Sequence, residues 1–416
     1  MYGFDERYTG NCRIYNLLKS AKRHVSFHTP GHKTGKWDIT ELSFSDNLSS
    51  PTGVLKEVQG EIASVSGADA SFILTDGSTC GVLAMLRAAG VKKLLFPVCS
   101  HKSVYNGCRL SGIVPVTLEN RYIGSVPQQP TAEEIEEALV KNGCDGVLLT
   151  SPDYYGNIAD YRGIQAVCLG HGVPLLCDGA HGAHLHGTER YAGKYCDLWV
   201  DGVHKNLPAF TQGAVLSAKQ PYVERVKEAL DIFRTTSPNY MIMASVEYAV
   251  KYPRNREIER LAEELKEKIG AYPNDDWSKI VLTYGENARR VSEYLEGRGI
   301  YPEFCDGENV MFYLSPATKR RELHRLQKVL EELRPLQRKA GGMPEVKTGE
   351  RRETRAWVAL TESEGRTCAQ NAGLFPPCIP LLREGQIVTR KEIEKLQNGK
   401  NTYGLNEGKV LVYGER

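Results

Sequence analysis

The chain lacks a charge bias. Its 53 lysines and arginines meet 51 acids, for a formal charge of +2, so no field draws it to nucleic acid or to an acidic membrane. The basic runs Lys319-Arg320-Arg321 and Arg351-Arg352 are short and read as solvated faces. Paired cysteines are also missing. Eleven are scattered singly, an odd total with no Cys-x-x-Cys spacing, which fits a reducing compartment, the cytoplasm by default, better than a disulfide framework. No apolar run approaches a membrane span, and the opening Met1-Tyr-Gly-Phe-Asp-Glu-Arg7 has no basic-then-apolar leader pattern. A soluble, unprocessed protein is expected. There is no repeat at a fixed period and no long low-complexity tract.

What is present is 416 residues at 41% hydrophobic content, enough for a large domain and a smaller one, each with its own core. Through the first half, short apolar runs alternate with helical patterns, which predicts an α/β fold with a mostly parallel sheet flanked by helices. Strands are expected at 71–74, 93–96, 114–118, 146–150, 173–177, 197–200 and 214–217, and helices at 81–89, 132–142 and 161–171. Further helices are expected after Asn239 through Ala249 and over 257–269. From about Glu286 the texture changes to helix (287–296), apolar run (310–314), charged helix (319–333) and an extended stretch (354–360). The expected division is therefore 1–285 for the N-terminal segment, the large α/β domain and the helices after it, and 286–416 for a smaller α+β domain. The stretch 335–352, rich in Gly, Pro and charge, reads as a mobile loop.

Three segments carry chemistry. The first, Thr75-Asp76-Gly77-Ser78-Thr79-Cys80-Gly81, follows an apolar run and precedes a helix. A phosphate there would meet free backbone N–H groups, the positive helix end and two hydroxyls, although Ser or Thr as a plain N-cap is the simpler reading of the segment alone. It lacks the Gly-x-x-x-x-Gly-Lys-Ser/Thr spacing of a nucleoside triphosphatase. The second is His101, in the loop leaving the run 94–98. Its imidazole could stack on a flat ring, shuttle a proton, or do neither.

The third runs from Asp178-Gly-Ala180-His181-Gly-Ala-His184-Leu-His186 to His204-Lys205. Carboxylate plus imidazoles suits a metal, but the spacing is not that of a helix-borne His-Glu-x-x-His motif. Most lysines are exposed and idle. Lys205, however, follows one apolar strand and leads through Thr211-Gln212-Gly213 into another, which places it at the ligand-binding edge of an open sheet. An acid at a strand end and a partly desolvated lysine one strand later are the pair that pyridoxal phosphate needs. The amine forms the Schiff base, and the carboxylate keeps the ring nitrogen protonated.

Together the motifs Phe27-His28-Thr-Pro-Gly-His32-Lys-Thr-Gly35, Gly67-Ala-Asp69 with Asp76-Gly-Ser-Thr79, His101-Lys-Ser103, Ser151-Pro-Asp-Tyr-Tyr-Gly156, the 178–185 loop and His204 through Gly213 resemble the Orn/Lys/Arg decarboxylase family, pyridoxal phosphate enzymes of the aspartate aminotransferase fold. Gly365-Arg366 and Phe375-Pro-Pro-Cys-Ile-Pro380 resemble the family's closing motifs more loosely. The resemblance is to the short form without an N-terminal response-regulator-like domain. It implies that Gly77, Ser78 and Thr79 hold the cofactor phosphate, that His101 stacks on the ring, and that Asp178 meets its nitrogen. Ala180 and His181 would line the opposite face, His204 would sit beside the phosphate, and Lys205 would form the internal aldimine. It implies a homodimer with the active site at the interface, the segment Thr235-Thr-Ser237-Pro238 reaching the neighbouring cofactor. No metal is implied.

The implied activity is decarboxylation of ornithine, lysine or arginine, the substrate amine displacing Lys205 and losing its carboxylate as carbon dioxide. The alternatives are a pyridoxal phosphate enzyme with another outcome, such as aminotransfer or β-elimination, and a non-catalytic relative acting as a binding or regulatory protein. Departures from the family pattern bear on these. Gly202 stands where a serine is usual, and Val98-Cys99 where a polar pair is usual. Cys378 replaces a glycine, and Gln370 and Gln386 stand for glutamates, removing carboxylates from near a site that should recognise a cation.

Overall fold

Seven apolar runs form one sheet. The computed structural model describes residues 4–21, 25–33, 37–338, 348–351, 354–375, 378–399 and 401–414. Thr34-Gly35 of the first motif, Pro376-Pro377 of the closing one, and 339–347 with Arg352 of the expected loop lie outside them. The strands in chain order are β1 (Ala70–Leu74), β2 (Lys93–Pro97), β3 (Val114–Leu118), β6 (Gly146–Thr150), β7 (Leu175–Gly179), β8 (Leu198–Asp201) and β9 (Ala214–Ala218). A two-residue hairpin, β4 (Tyr122–Ile123) and β5 (Val126–Pro127), interrupts the series. The sheet order is β1-β9-β8-β7-β6-β2-β3. Only β9 runs antiparallel to its two neighbours, so the sheet is mostly parallel, as the alternation of runs and helices predicts.

Burial on both faces explains why the central runs are continuously apolar. Successive side chains point to opposite sides. Leu148, Leu176, Leu198 and Val200 pack with Val82, Met85 and Leu86 of helix α3 on one side. Val147, Leu149, Leu175, Cys177 and Trp199 pack with Ile135, Leu139 and Ile164 on the other. The helices are α1 (Arg13–Ala21), α2 (Val54–Ser66), α3 (Gly77–Ala89), α4 (Lys102–Ser111), α5 (Ala132–Asn142), α6 (Tyr161–His171), α7 (Val203–Asn206), α8 (Val223–Phe233), α9 (Tyr240–Val250) and α10 (Arg256–Ile269). A capping box between Thr131 and Glu134 starts α5 where the sequence places it. The first N–H groups of α1 are capped from far along the chain: Arg13 N and Ile14 N donate to the buried Glu247 carboxylate of α9, at 2.6 and 2.8 Å. Among the described residues no helix is long and apolar enough to cross a membrane.

Two elements differ from expectation. The strand expected at 173–177 begins and ends two residues later. Pro174 has no N–H to give the ladder, although its carbonyl still accepts from Val147 N at 3.0 Å. Asp178 is thereby drawn into the strand, in register with Thr150 and Val200. The helix expected from residue 81 begins at Gly77, whose φ of 79° turns the chain directly from β1.

Beyond α10, strands β10 (Lys279–Thr283), β11 (Phe304–Cys305) and β12 (Asn309–Tyr313) form an antiparallel sheet in the order β10-β12-β11. Its core joins Ile258 and Leu265 of α10 to Ile280, Leu282, Phe312 and Leu330. The extended stretch expected near 354–360 is the strand Arg355–Ala359, paired with Lys409–Tyr413.

Candidate active site at the carboxyl edge of the sheet

Parallel strands deliver their following loops to one edge, and a cavity of about 220 Å³ opens there. The turn from β1 into α3 contributes Gly77, Ser78 and Thr79; the loop after β2 contributes His101. The end of β7 contributes Asp178, Ala180 and His181, and α7 contributes His204 and Lys205. These are the residues selected from the sequence, apart from Ser237. Ser237 is exposed and outside the lining, its main-chain N–H bonded to Thr235 Oγ1 at 3.1 Å.

Lys205 sits on a single helical turn, its main-chain N–H donating to Gly202 O at 2.9 Å. Its Nζ lies 3.2 Å from His181 Nε2 and 5.7 Å from the centre of the Tyr154 ring. Burial lowers the proton affinity of this amine, while the carboxylates of Asp178 and Glu303 pull in the other direction. Burial pushes the Asp178 carboxyl up, and the Lys205 charge draws it back. Asp178 Oδ1 accepts from Ala180 N at 3.2 Å. Burial, then the charge of Lys205, holds His181 far below the usual imidazole range, so the ring that lies 3.2 Å from Lys205 Nζ is neutral.

His101 is the N-cap of α4. Its Nδ1 accepts from Ser103 N at 3.1 Å and lies 2.7 Å from Ser103 Oγ, which fixes the plane of the ring. Burial, with Lys205 and Lys102 nearby, lowers its pKa to about 3. The ring is therefore neutral near pH 7. His204 donates from Nδ1 to Gly213 O at 2.9 Å, which leaves Nε2 free of that bond. At the other end, Gly77 N donates to Gln212 O at 2.9 Å, and a Cβ on Gly77 would meet nothing within 4 Å. Asp76 makes no side-chain cap on α3, so the first turn of a 13-residue helix presents uncapped N–H groups beside two hydroxyls.

The three histidines of the 181–186 loop diverge. His181 faces the cavity, His184 Nε2 bonds Asp276 Oδ1 at 2.8 Å, and His186 Nε2 lies 3.3 Å from Asp201 Oδ2. Among the described residues no three His, Cys, Asp or Glu side chains gather as metal ligands would. Gln370 and Gln386 also lie off the cavity lining. The first donates to Gly404 O at 2.7 Å and the second accepts from Arg383 N at 3.1 Å. Their loss of charge therefore leaves the cavity walls of this chain unchanged.

Sequence reasoning missed Thr150, which lines the cavity, and the buried pair Asp276–Lys279 beneath it. Lys279 opens an apolar strand, and nothing in its spacing separates it from a surface lysine. Tyr154 was visible only as part of a motif; its ring centre lies 4.6 Å from that of His181.

Comparison with known proteins bears on the family and the fold. The profile of one family, described as Orn/Lys/Arg decarboxylase, major domain, matches residues 36–272. The uncharacterized protein YaaO of Bacillus subtilis is 29% identical over 97% of this chain and 99% of its own. An arginine decarboxylase of Halalkalibacterium halodurans is 26% identical over 92% of this chain and 91% of its own. The structure of the Escherichia coli constitutive lysine decarboxylase superposes with a TM-score of 0.74 at 20% identity, covering 97% of this chain and 82% of that one. A structure of SPT with PLP superposes with a TM-score of 0.58 at 14% identity, covering 79% of this chain and 85% of that one.

Proposed function

Because the chain belongs to the Orn/Lys/Arg decarboxylase family, we propose that it converts a basic amino acid, ornithine, lysine or arginine, to the corresponding amine and carbon dioxide with pyridoxal 5′-phosphate as cofactor. The observation that carries this reading is the shared cavity of a half-buried amine, Lys205, and a buried carboxylate, Asp178, at the carboxyl edge of the sheet. The residues fit the cofactor. The uncapped first turn of α3, with Gly77, Ser78 and Thr79, suits a phosphate, and the fixed neutral ring of His101 suits one face of a flat heterocycle.

When bound, the cofactor supplies an aldehyde carbon for an amine and a ring that takes up electrons released at the substrate α-carbon. Lys205 offers Nζ as the neutral amine that burial favours. Asp178 would hold the anion that keeps a proton on the ring nitrogen, and Ala180 would leave room for the ring beside it. His204 Nε2 would serve the phosphate. Lys205 Nζ, held beside His181 Nε2 at 3.2 Å, would take up a proton from the incoming substrate ammonium and return it to the α-carbon after carbon dioxide leaves. Residues 1–285 supply the cavity lining, and β10 within them pairs with β12 of 286–416. The working unit is a homodimer in which the exposed Ser237 reaches the neighbouring site, and the cytoplasm is its place of action. No two of its eleven cysteines are joined in a disulfide.

The test is a panel of amino acids assayed with purified, cofactor-loaded protein. Carbon dioxide with a diamine or agmatine in equal amounts is expected. A keto acid, or bound cofactor with no turnover on any amino acid, would overturn the proposal.

Gly202 gives a second expectation. A Cβ there would lie 2.5 Å from Ala180 O and 3.2 Å from Ala180 C, so the family's serine does not fit without moving the strand end that carries Asp178. Gly202→Ser should weaken cofactor retention about tenfold or more, measured by equilibrium dialysis, in place of adding a phosphate contact. Tighter retention in that variant would contradict the packing argument.

A further inference from the structure

The reaction outlined above makes no use of a second buried lysine under the cavity. Lys279, at the start of β10, and Asp276 both have fully buried side chains, with Nζ 3.3 Å from Asp276 Oδ2 and 4.2 Å from the centre of the Tyr313 ring. Asp276 Oδ1 is already engaged by His184 Nε2 at 2.8 Å and Ser278 N at 2.9 Å. The Asn206 amide completes the chain of contacts. With its oxygen toward Lys279 Nζ and its nitrogen toward the His181 carbonyl, each at 3.0 Å, both ends of the amide are satisfied. Asn206 is the residue after Lys205, and the ring of His181 bonds Lys205 Nζ. Lys279 is thus linked to Lys205 along the backbone of α7 on one side and through His181 on the other.

A buried ion pair is a poor source of stability, because apolar residues of similar volume usually serve as well. The arrangement therefore calls for a task specific to the cation. We propose that Lys279 is a positioning residue for Lys205: its fixed ammonium, acting through Asn206 and His181, keeps the Lys205 amine proton-free and in one place. Lys205 faces Asp178, Glu303, His101, His181, His204, Tyr154, Cys378 and Lys279. Burial is the main force against its charged form; Asp178 and Glu303 favour that form, and Lys279 opposes them. Burial works against the charge of Lys279 too, while Asp276, Glu303 and Asp153 favour it, and His181 lies close by. The Asp276 carboxylate, 3.3 Å from Lys279 Nζ and shared with His184, offsets part of the cation's field at the Lys205 amine.

This proposal rests on Lys205 being the cofactor-bearing amine, and the test separates the two. Cofactor-loaded protein is titrated with pH while its visible absorption band is followed. Lys279→Gln should raise the midpoint on the order of one pH unit, and Lys279→Arg should restore it. The double variant Lys279→Met with Asp276→Leu, which removes the pair together and keeps the core filled, should raise it too, by less, and it decides the matter if the single variant does not fold. A folded variant with a lowered melting temperature and an unmoved midpoint means a structural role only, and overturns the proposal. Lys205→Ala is run in parallel. A band that survives there sinks the reading of Lys205 itself, whereas a band lost there with an unmoved midpoint in the Lys279 variants sinks this inference alone.

Discussion

Lys205→Ala is expected to yield folded protein that has lost the visible band of lysine-bound cofactor and produces amine on the order of a thousandfold more slowly, or not at all. The fold should survive. The bonds that shape α7 are main-chain ones, from Lys205 N to Gly202 O and from Leu207 N to Val203 O, and alanine keeps both. What disappears is the only atom of this residue that enters the chemistry, the Nζ held 3.2 Å from His181 Nε2. Borohydride reduction of the loaded wild-type protein, followed by peptide mass analysis, gives an independent readout. The added cofactor mass should appear on the peptide containing Lys205. Finding it on the peptide containing Lys279 would exchange the roles assigned to the two buried lysines.

Asp178→Asn should retain cofactor yet lower turnover by about a hundredfold or more. Asparagine keeps the shape of the side chain and the acceptor for Ala180 N, so packing at the end of β7 is preserved. It carries no charge, and a neutral amide cannot hold a proton on the ring nitrogen. In the native site the carboxyl is pulled two ways, up by burial and down by Lys205. The predicted loss is in kcat and not in cofactor content, so both are measured on the same preparation. Full turnover with full occupancy in this variant would remove Asp178 from the mechanism.

Much of the sheet was legible because burial on both faces leaves an unbroken apolar run. Leu148 and Leu149, or Leu175 and Leu176, are adjacent apolar residues serving opposite faces, and such runs between helical patterns admit few other readings. The ends were less legible. Pro174 moved the start of β7 and Gly77 the start of α3, each through a local backbone rule whose outcome depends on a neighbouring strand. The cavity residues were found through motifs at strand ends. Lys279 and Asp276 escaped because a buried ion pair is created by burial, and burial of a lone lysine is set by tertiary packing. Cys378 shows the opposite case. The residue departs from the family's glycine while the backbone keeps the glycine-like angle, φ 63°, so the conformation persists where the letter has changed. Gly202 is similar in kind: read as a missing hydroxyl, it is also a point of contact between two backbones.

The position of β1 has a bearing on how the molecule is made. In the sheet β1 touches only β9, through the register Ala70↔Ala218 to Leu74↔Ala214, and β1 leads straight into Gly77, Ser78 and Thr79. During synthesis the nascent segment that bears these residues waits, its edge unpaired, until the ribosome has released Ala218 and most of the large sheet. The turn after β1 is thus fixed late in translation, and a chain truncated ahead of β9 exposes an unsatisfied strand to other chains.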